Sequence, residues 1–136
     1  MKTLAVHACV LSMGVLFAGV AGAQQRVDFG KMEFERSCAS CHGVDGKGNG
    51  PMGNFLKVSP PDLTRLAKAN QGVFPMNRLY EVVEGAGVPA HGSRDMPVWG
   101  REYSMQDAQS GAYDSPAVVR ARILTLLEYL SRIQAK

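Results

Sequence analysis

Two cysteines and a histidine lie within five consecutive residues of this 136-residue chain, Cys38-Ala39-Ser40-Cys41-His42. Two thiols at this spacing can add across the two vinyl groups of a porphyrin, because the residues between them let the backbone span the distance between the vinyls. The next residue then lies beneath the ring, where an imidazole nitrogen can bind iron. The C-x-x-C-H pattern therefore predicts one covalently attached haem c, held by Cys38 and Cys41, with His42 as the proximal iron ligand.

The same thiols have three competing interpretations. A thiol–disulfide oxidoreductase motif opens a helix within a strand–helix–strand pattern, and no segment with convincing strand alternation precedes Cys38. A zinc site needs a second pair of ligands at metal spacing, whereas the only other histidine after residue 23 is His91. A disulfide is common in exported proteins, but the spacing of these two cysteines argues for haem attachment instead.

The amino terminus predicts export. A short basic start is followed by an apolar stretch over residues 4–20 and by the small residues Ala-Gly-Ala at positions 21–23, which suit a cleavage site. A membrane anchor is the alternative, but His7 and Ser12 interrupt the stretch and no basic cluster follows it. We expect residues 1–23 to be a signal peptide that is cleaved, taking Cys9 with it.

Residues 24–136 have the length of one domain. The predicted signal holds one of the 15 basic residues and none of the 12 acidic ones, so the formal charge falls from +3 to +2 when it is removed. Nucleic-acid binding requires a basic run or a strong positive excess, and the sequence has neither. We therefore expect a domain that is periplasmic or otherwise exported, with no nucleic-acid partner and no stable membrane insertion after cleavage.

The elements that would position the motif are helices separated by long loops. Residues 27–40 predict a helix that runs into the motif. Shorter helices are predicted over residues 62–69, with Asp62 as the N-cap, and over residues 75–84, ended by Gly85.

The carboxy-terminal helix has the strongest pattern. Ser115 can cap its start, and Pro116 occupies the first turn, where its missing amide proton costs nothing. Apolar residues recur along one face at helical spacing: Val119, Ile123, Leu126, Leu127, Leu130 and Ile133. The charged residues Arg120, Arg122, Glu128 and Arg132 are expected to lie mostly on the solvent-facing side.

Residues 43–51 hold too much glycine for a regular element and predict a tight loop. No strand is predicted anywhere. The expected fold is all-α, with about four helices and long loops wrapped around one covalent haem, because long loops in a small domain need a surface to pack on.

Over residues 27–133 the sequence resembles the class I cytochrome c family. In that family the helix before the haem motif crosses the last helix, and Gly30 and Phe34 hold its glycine and aromatic positions, eight and four residues before the first haem cysteine. Leu126 and Tyr129 match the aliphatic and aromatic positions of the last helix. The resemblance also implies a proline carbonyl that accepts the second imidazole proton of His42, supplied by Pro60 or Pro61.

The resemblance further implies a methionine as the distal iron ligand, on a loop before the last helix and followed by a proline and an aromatic residue. Met96-Pro97-Val98-Trp99 fits this pattern. His91 on the same loop is the main rival ligand, with hydrogen bonding to a haem propionate as its other possible role. Trp99 is expected to shield the haem, to donate to a propionate, or simply to fill the core. Three further methionines compete less well: Met52, Met76 and Met105.

With histidine and methionine both bound, the iron has no open position for a substrate, so the chain is expected to be an electron carrier and not an enzyme. The predicted function is single-electron, outer-sphere transfer between protein redox partners. One alternative is a haem c subunit fixed in a larger oxidoreductase complex. Another is a haem enzyme or gas sensor whose sixth ligand can be displaced.

Overall fold

The computed structural model describes residues 26–85, 96–111 and 116–136. These residues form six α-helices and two short 3-10 segments, and no strand occurs among them. The helices are α1 (Phe29–Ser37), α2 (Ala39–His42), α3 (Leu66–Ala69), α4 (Met76–Glu84), α5 (Trp99–Gln109) and α6 (Pro116–Arg132), and the 3-10 segments are Pro51–Phe55 and Leu63–Arg65. The predicted all-α fold is confirmed. The predicted signal peptide, His91 and the Ser115 cap lie outside the described residues.

The structure has more helices than the expected four or so. The helix predicted over residues 27–40 is divided at Cys38 into α1 and α2. The segment predicted over residues 62–69 is a 3-10 turn followed by α3, and the Asp62 side chain caps it by accepting a hydrogen bond from the Thr64 amide at 2.9 Å. The predicted α4 ends at Gly85, which adopts the left-handed conformation with φ of 85°.

Helix α5 is absent from the sequence-based expectation, which placed the segment from Met96 to Trp99 on a loop before the last helix. Only Gly100 and Tyr103 of this helix are buried, so its sequence shows no apolar stripe to reveal it. Gly100 explains the close packing of α5 on the end of α4, because a Cβ atom at this position would lie 2.6 Å from the Glu84 carbonyl oxygen.

Helices α1 and α6 cross at direct backbone contact. A Cβ atom on Gly30 would lie 2.1 Å from the Thr125 carbonyl oxygen, so only glycine fits at the crossing. Phe34 is fully buried, and its ring packs against that of Tyr129 with centroids 5.3 Å apart. The side chain of Asp28 caps α1 by accepting from the Lys31 amide at 3.0 Å. The crossing implied by the family resemblance is therefore present.

The apolar face of α6 forms the centre of the core. Val119, Ile123, Leu126, Leu127 and Leu130 are buried, and Ile133 packs against them at the helix end. One expectation for the opposite face is wrong: the Arg122 side chain is only 16% exposed, because acidic groups on α1 and α5 enclose it. No described helix combines the length and the apolar character needed to cross a membrane.

The glycine-rich loop after His42 is folded tightly against the motif. The amide of Gly48 donates to the His42 carbonyl at 2.7 Å, and the amide of Gly50 donates to the Cys41 carbonyl at 3.1 Å. A Cβ atom on Gly48, whose φ is 80°, would lie 2.2 Å from the Pro60 carbonyl oxygen. The loop thus brings the prolines at 60 and 61 next to the motif.

Candidate functional site

One cavity brings together all four residues that the sequence analysis assigned to the haem. Cys38, Cys41, His42 and Met96 all line it. The space between the lining residues is about 860 Å³, part of it open to solvent. Most of the remaining wall is apolar: Leu56, Val58, Pro60, Pro61, Leu63, Leu79, Val82, Val83, Pro97, Trp99, Leu126 and Leu130. Such a wall fits a flat, largely apolar ring.

Cys38 holds the junction between α1 and α2. Its amide donates to the Phe34 carbonyl at 2.8 Å, and its own carbonyl accepts from the His42 amide at 2.9 Å. This backbone arrangement places His42 one helical turn after Cys38, so both side chains reach the same cavity. Cys41 is partly exposed, and both thiols are free.

The environment of the Cys38 thiol does not suit a redox-active dithiol. Burial, reinforced by the negative charge of Glu33 and by Cys41, raises the pKa of the Cys38 thiol to about 12. Thiol–disulfide oxidoreductases instead lower the pKa of the attacking cysteine to make a thiolate. No group of three or more histidine, cysteine or acidic side chains among the described residues is arranged to hold a metal ion by itself.

The ring of His42 is buried and oriented by one hydrogen bond. Its Nδ1 donates to the Pro61 carbonyl oxygen at 3.2 Å, so Nε2 is the nitrogen left with a free lone pair. Burial lowers the pKa of His42, and the bond to Pro61 opposes this shift only in part. The neutral imidazole is thus favoured, with the tautomer that an iron ligand requires. Of the two prolines proposed from the sequence, Pro61 is the one that makes this bond.

Pro61 is itself held by the loops around it. The amide of Leu63 donates to the Gly46 carbonyl at 2.7 Å, which ties the segment after Pro61 to the glycine-rich loop. Gly48 lies close to the carbonyl oxygen of Pro60, the residue before Pro61. The Pro61 carbonyl that accepts from His42 is therefore positioned by backbone contacts with the glycine-rich loop.

Met96 is the only methionine among the described residues that lines the cavity. Met52 and Met105 are about half exposed, and Met76 packs against the core at the start of α4. Trp99, three residues after Met96, also lines the cavity, and its ring lies 5.7 Å from that of Tyr103. Trp99 therefore contributes both to the cavity wall and to the core.

Two groups of residues near this site have no counterpart among the sequence-based predictions. The first is Leu79, Val82 and Val83 of α4, which line the cavity and whose spacing of one, three and four residues was visible within the predicted helix. The second is a set of polar side chains enclosed behind Cys38, between α1, α5 and α6. No local pattern could reveal these, because Glu33 and Arg122 are 89 positions apart in the sequence.

Comparison with known families agrees with this geometry. The family model described as Cytochrome c matches residues 27–113, which is more than half of the chain. The chain belongs to the cytochrome c family, and it is accordingly a haem protein of the electron-transfer class. No match was found among curated proteins or among solved structures.

Proposed function

We propose that this protein is an exported monohaem cytochrome that passes single electrons between protein redox partners. Cys38 and Cys41 would hold the haem through thioether bonds, and His42 and Met96 would bind its iron. The observation that carries this proposal is the shared cavity: it is lined by both thiols, by an imidazole with Nδ1 already bonded to Pro61, and by a single described methionine.

The bound haem supplies an iron that alternates between the ferric and ferrous states. The protein contributes the environment in which this change occurs. The Pro61 carbonyl keeps the His42 ring in one orientation, so little rearrangement accompanies a change in iron charge. The thioether of Met96 favours the ferrous state, and the apolar wall excludes water, so the reduction potential is expected to be relatively high.

Export and solubility belong to the same proposal. The amino-terminal pattern of residues 1–23 supports a cleaved signal peptide and a periplasmic domain that is not inserted in the membrane. The mass of the native protein checks this directly, since it must correspond to a chain that starts at residue 24 and carries one haem. Retention of the apolar segment in the native protein would contradict it.

We further propose that redox partners dock at the rim of the cavity formed by residues 55–58. Leu56 and Val58 line the cavity, yet Val58 is 62% exposed and the neighbouring Phe55 is 80% exposed. Lys57 lies between them and is also exposed. An exposed apolar segment with a cationic residue suits a small, transient contact with an acidic surface. A subunit fixed in a complex is the alternative, and it would cover this segment permanently.

The docking proposal can be tested without knowing the partner. Exchange of electrons with hexacyanoferrate, an anion, and with hexaammineruthenium, a cation, reports the charge near the exit surface. Lys57→Glu is expected to slow exchange with the anion several-fold and to accelerate exchange with the cation, and high salt should remove both effects. Lys31→Glu makes the same charge change on α1, where Lys31 does not line the cavity. Equal effects from the two variants would contradict the proposed location.

The decisive experiment for the haem itself uses protein made with a haem-attachment system. The red colour should remain with the polypeptide after acid–acetone extraction, because thioether bonds are not broken by this treatment. The native reduced protein should not bind carbon monoxide, since Met96 occupies the sixth position. Extractable haem would refute covalent attachment, and rapid carbon monoxide binding would favour the enzyme or sensor alternative.

A further inference from the structure

Five polar side chains are enclosed between α1, α5 and α6, behind the part of the cavity wall that carries Cys38. We call them the polar cluster: Glu33, Ser37, Tyr103, Asp107 and Arg122. Glu33 is 6% exposed and Tyr103 is fully buried. The side chains of Asp107 and Arg122 are 13% and 16% exposed. Charges so well shielded from water interact over longer distances than charges on the surface.

The bonds of the polar cluster converge on Glu33 and Arg122. Arg122 Nη2 donates to the two carboxylate oxygens of Glu33 at 3.3 and 3.4 Å, and Arg122 Nη1 donates to Asp107 Oδ1 at 2.9 Å. The hydroxyl of Ser37 donates to Glu33 Oε1 at 2.8 Å. The Arg122 guanidinium also lies 3.9 Å from the centre of the Tyr103 ring. The geometry therefore holds both carboxylates in place.

The enclosed charges do not balance. Among the residues that the structure describes, two carboxylates, of Glu33 and Asp107, face one buried cation, Arg122. The other described cation that contacts Glu33 is Arg36, whose side chain is 60% exposed, so water screens most of its charge. The polar cluster thus carries a net negative charge inside the protein.

Stability alone does not account for this arrangement. Tyr103 Oη and Asp107 Oδ2 are buried and have no hydrogen-bond partner within the described part of the chain, and such groups are costly. Enclosed ion pairs are also weak evidence for stabilisation, because apolar side chains of similar size are often as stable. A functional role for the charge is the better explanation.

Two residues connect the polar cluster directly to the cavity. Ser37 lines the cavity while its hydroxyl is bonded to Glu33. Trp99 lines the cavity while its ring packs against Tyr103. The charge of Glu33 also reaches Cys38, where it adds to the effect of burial on the thiol pKa. A group attached to Cys38 would therefore lie within the electric field of the polar cluster.

We propose that the polar cluster, through Glu33 and Asp107, lowers the reduction potential of the haem. This inference rests on the proposed function. The ferric iron gains one electron from a reduced partner and becomes ferrous, so the haem loses one positive charge. The net negative charge of the cluster stabilises the ferric form more than the ferrous form, because the buried protein groups between the cluster and the cavity screen little. Glu33 and Asp107 then act on the reduction potential through their charges, without contacting the iron.

Redox titration of the holoprotein, followed by its visible absorption, tests this proposal. Glu33→Gln keeps the size of the side chain and removes its charge, and it should shift the equilibrium toward the ferrous form at least about threefold. A tenfold shift corresponds to about 59 mV for one electron. Glu35→Gln is the matched control on the same helix, because Glu35 is 49% exposed and pairs with Lys31 on the surface. Its shift should stay below about 1.5-fold.

The outcomes separate a tuning role from a structural one. A lower melting temperature of Glu33→Gln with a potential equal to that of Glu35→Gln would overturn the proposal. If Glu33→Gln does not accumulate as folded holoprotein, Asp107→Asn decides the matter, and an unchanged potential in that variant would be equally fatal. Failure of the proposed function would be visible separately, because the wild-type protein would then lack covalent haem absorption.

Discussion

The α1–α6 crossing and the segment from residue 43 to 82 are stabilised in different ways. The crossing is built from fully buried side chains such as Phe34, Ile123 and Leu127. Between residues 43 and 82, by contrast, no apolar side chain is fully buried, and Phe55 and Val58 are mostly exposed. Several of its residues instead line the cavity, namely Leu56, Val58, Ser59, Pro60, Pro61, Leu63, Leu79 and Val82. The α1–α6 crossing is therefore stabilised by side chains that pack against one another, whereas the segment from residue 43 to 82 is organised around the cavity. We call this segment the cavity-lining segment.

This difference indicates what the haem contributes to folding. The apolar residues of the cavity-lining segment need a partner surface, since residues 43–61 form only a 3-10 turn and loops. The α1–α6 crossing has its own partner surface in each helix. We expect the two regions to respond differently when the haem, its ligands, or the helix packing is changed.

The largest effect is expected from loss of attachment. Cys38→Ala with Cys41→Ala should leave little folded protein, because the segment from residue 43 to 82 loses the surface that it covers. Thermal melting by circular dichroism should show no cooperative transition, and limited proteolysis should cut residues 43–82 first. Ser40→Ala, between the two cysteines, is the control and should retain haem and native melting. A double variant that melts like the wild type without haem would remove the basis of the comparison.

Loss of the distal ligand should be the next largest effect. Met96→Ala should abolish the weak far-red absorption of an iron–sulfur bond in the oxidised protein and lower the potential, while the haem stays covalently bound. Met105→Ala is the matched control, because Met105 is half exposed and does not line the cavity. His91→Ala should leave the band in place. If the band survives Met96→Ala, another ligand must be assigned, with His91 as the first candidate.

The sequence predicts some helices of this fold and not others. The C-x-x-C-H motif, the apolar stripe of α6 and the positions of Gly30 and Phe34 are short-range patterns, and the helices that they predict are present. Helix α5 was missed because only two of its residues are buried. A helix with so small an apolar face has no periodicity to detect.

Contacts between distant segments were beyond the reach of sequence patterns. Arg122 was expected to face solvent from its position beside the apolar stripe, but Glu33 and Asp107 approach it from two other helices. The choice between Pro60 and Pro61 as the partner of His42 likewise depended on how the loop returns to the motif. Each of these features is set by tertiary packing and not by local propensity.

A substitution at the crossing should have a smaller effect than loss of haem, and it should act on the other region. Gly30→Ala places a methyl group against the Thr125 carbonyl and Tyr129, which should destabilise the protein by roughly 1–3 kcal/mol. The haem spectrum should remain that of the wild type. Denaturant unfolding of the holoprotein measures the free energy of unfolding.

Gly53→Ala is the control for this substitution in the cavity-lining segment. Its nearest atom would be Pro60 Cδ at 3.4 Å, an ordinary contact, so its stability should change little. If Gly30→Ala is as stable as Gly53→Ala, then α1 and α6 separate more easily than their close contact indicates, and the α1–α6 crossing is not rigid.

The smallest effect concerns the bond between Glu33 of α1 and Arg122 of α6, which adds a charged contact to the packed region. Burial alone would raise the pKa of Glu33, but hydrogen bonds from Ser37 and Arg122 and the charges of Arg122 and Arg36 hold it below its usual range. Because the folded protein binds this proton less tightly than the unfolded chain does, the carboxylate stabilises the fold at neutral pH. That stabilisation is lost as the pH falls from the ordinary glutamate range through the lowered pKa.

Glu33→Gln should therefore cost about 1–2 kcal/mol at neutral pH, and the cost should shrink as the solution becomes acidic enough to protonate Glu33 in the wild type. The free energy of unfolding of both proteins, measured by denaturant over a series of pH values, gives the difference directly. Glu35→Gln should show little difference at any pH, since its surface pair is exposed. A cost of Glu33→Gln that stays constant down to strongly acidic pH would mean that the shape of this side chain, and not its charge, joins α1 to α6. The crossing would then be stabilised by packing alone, and its contrast with the cavity-lining segment would be sharper than we infer.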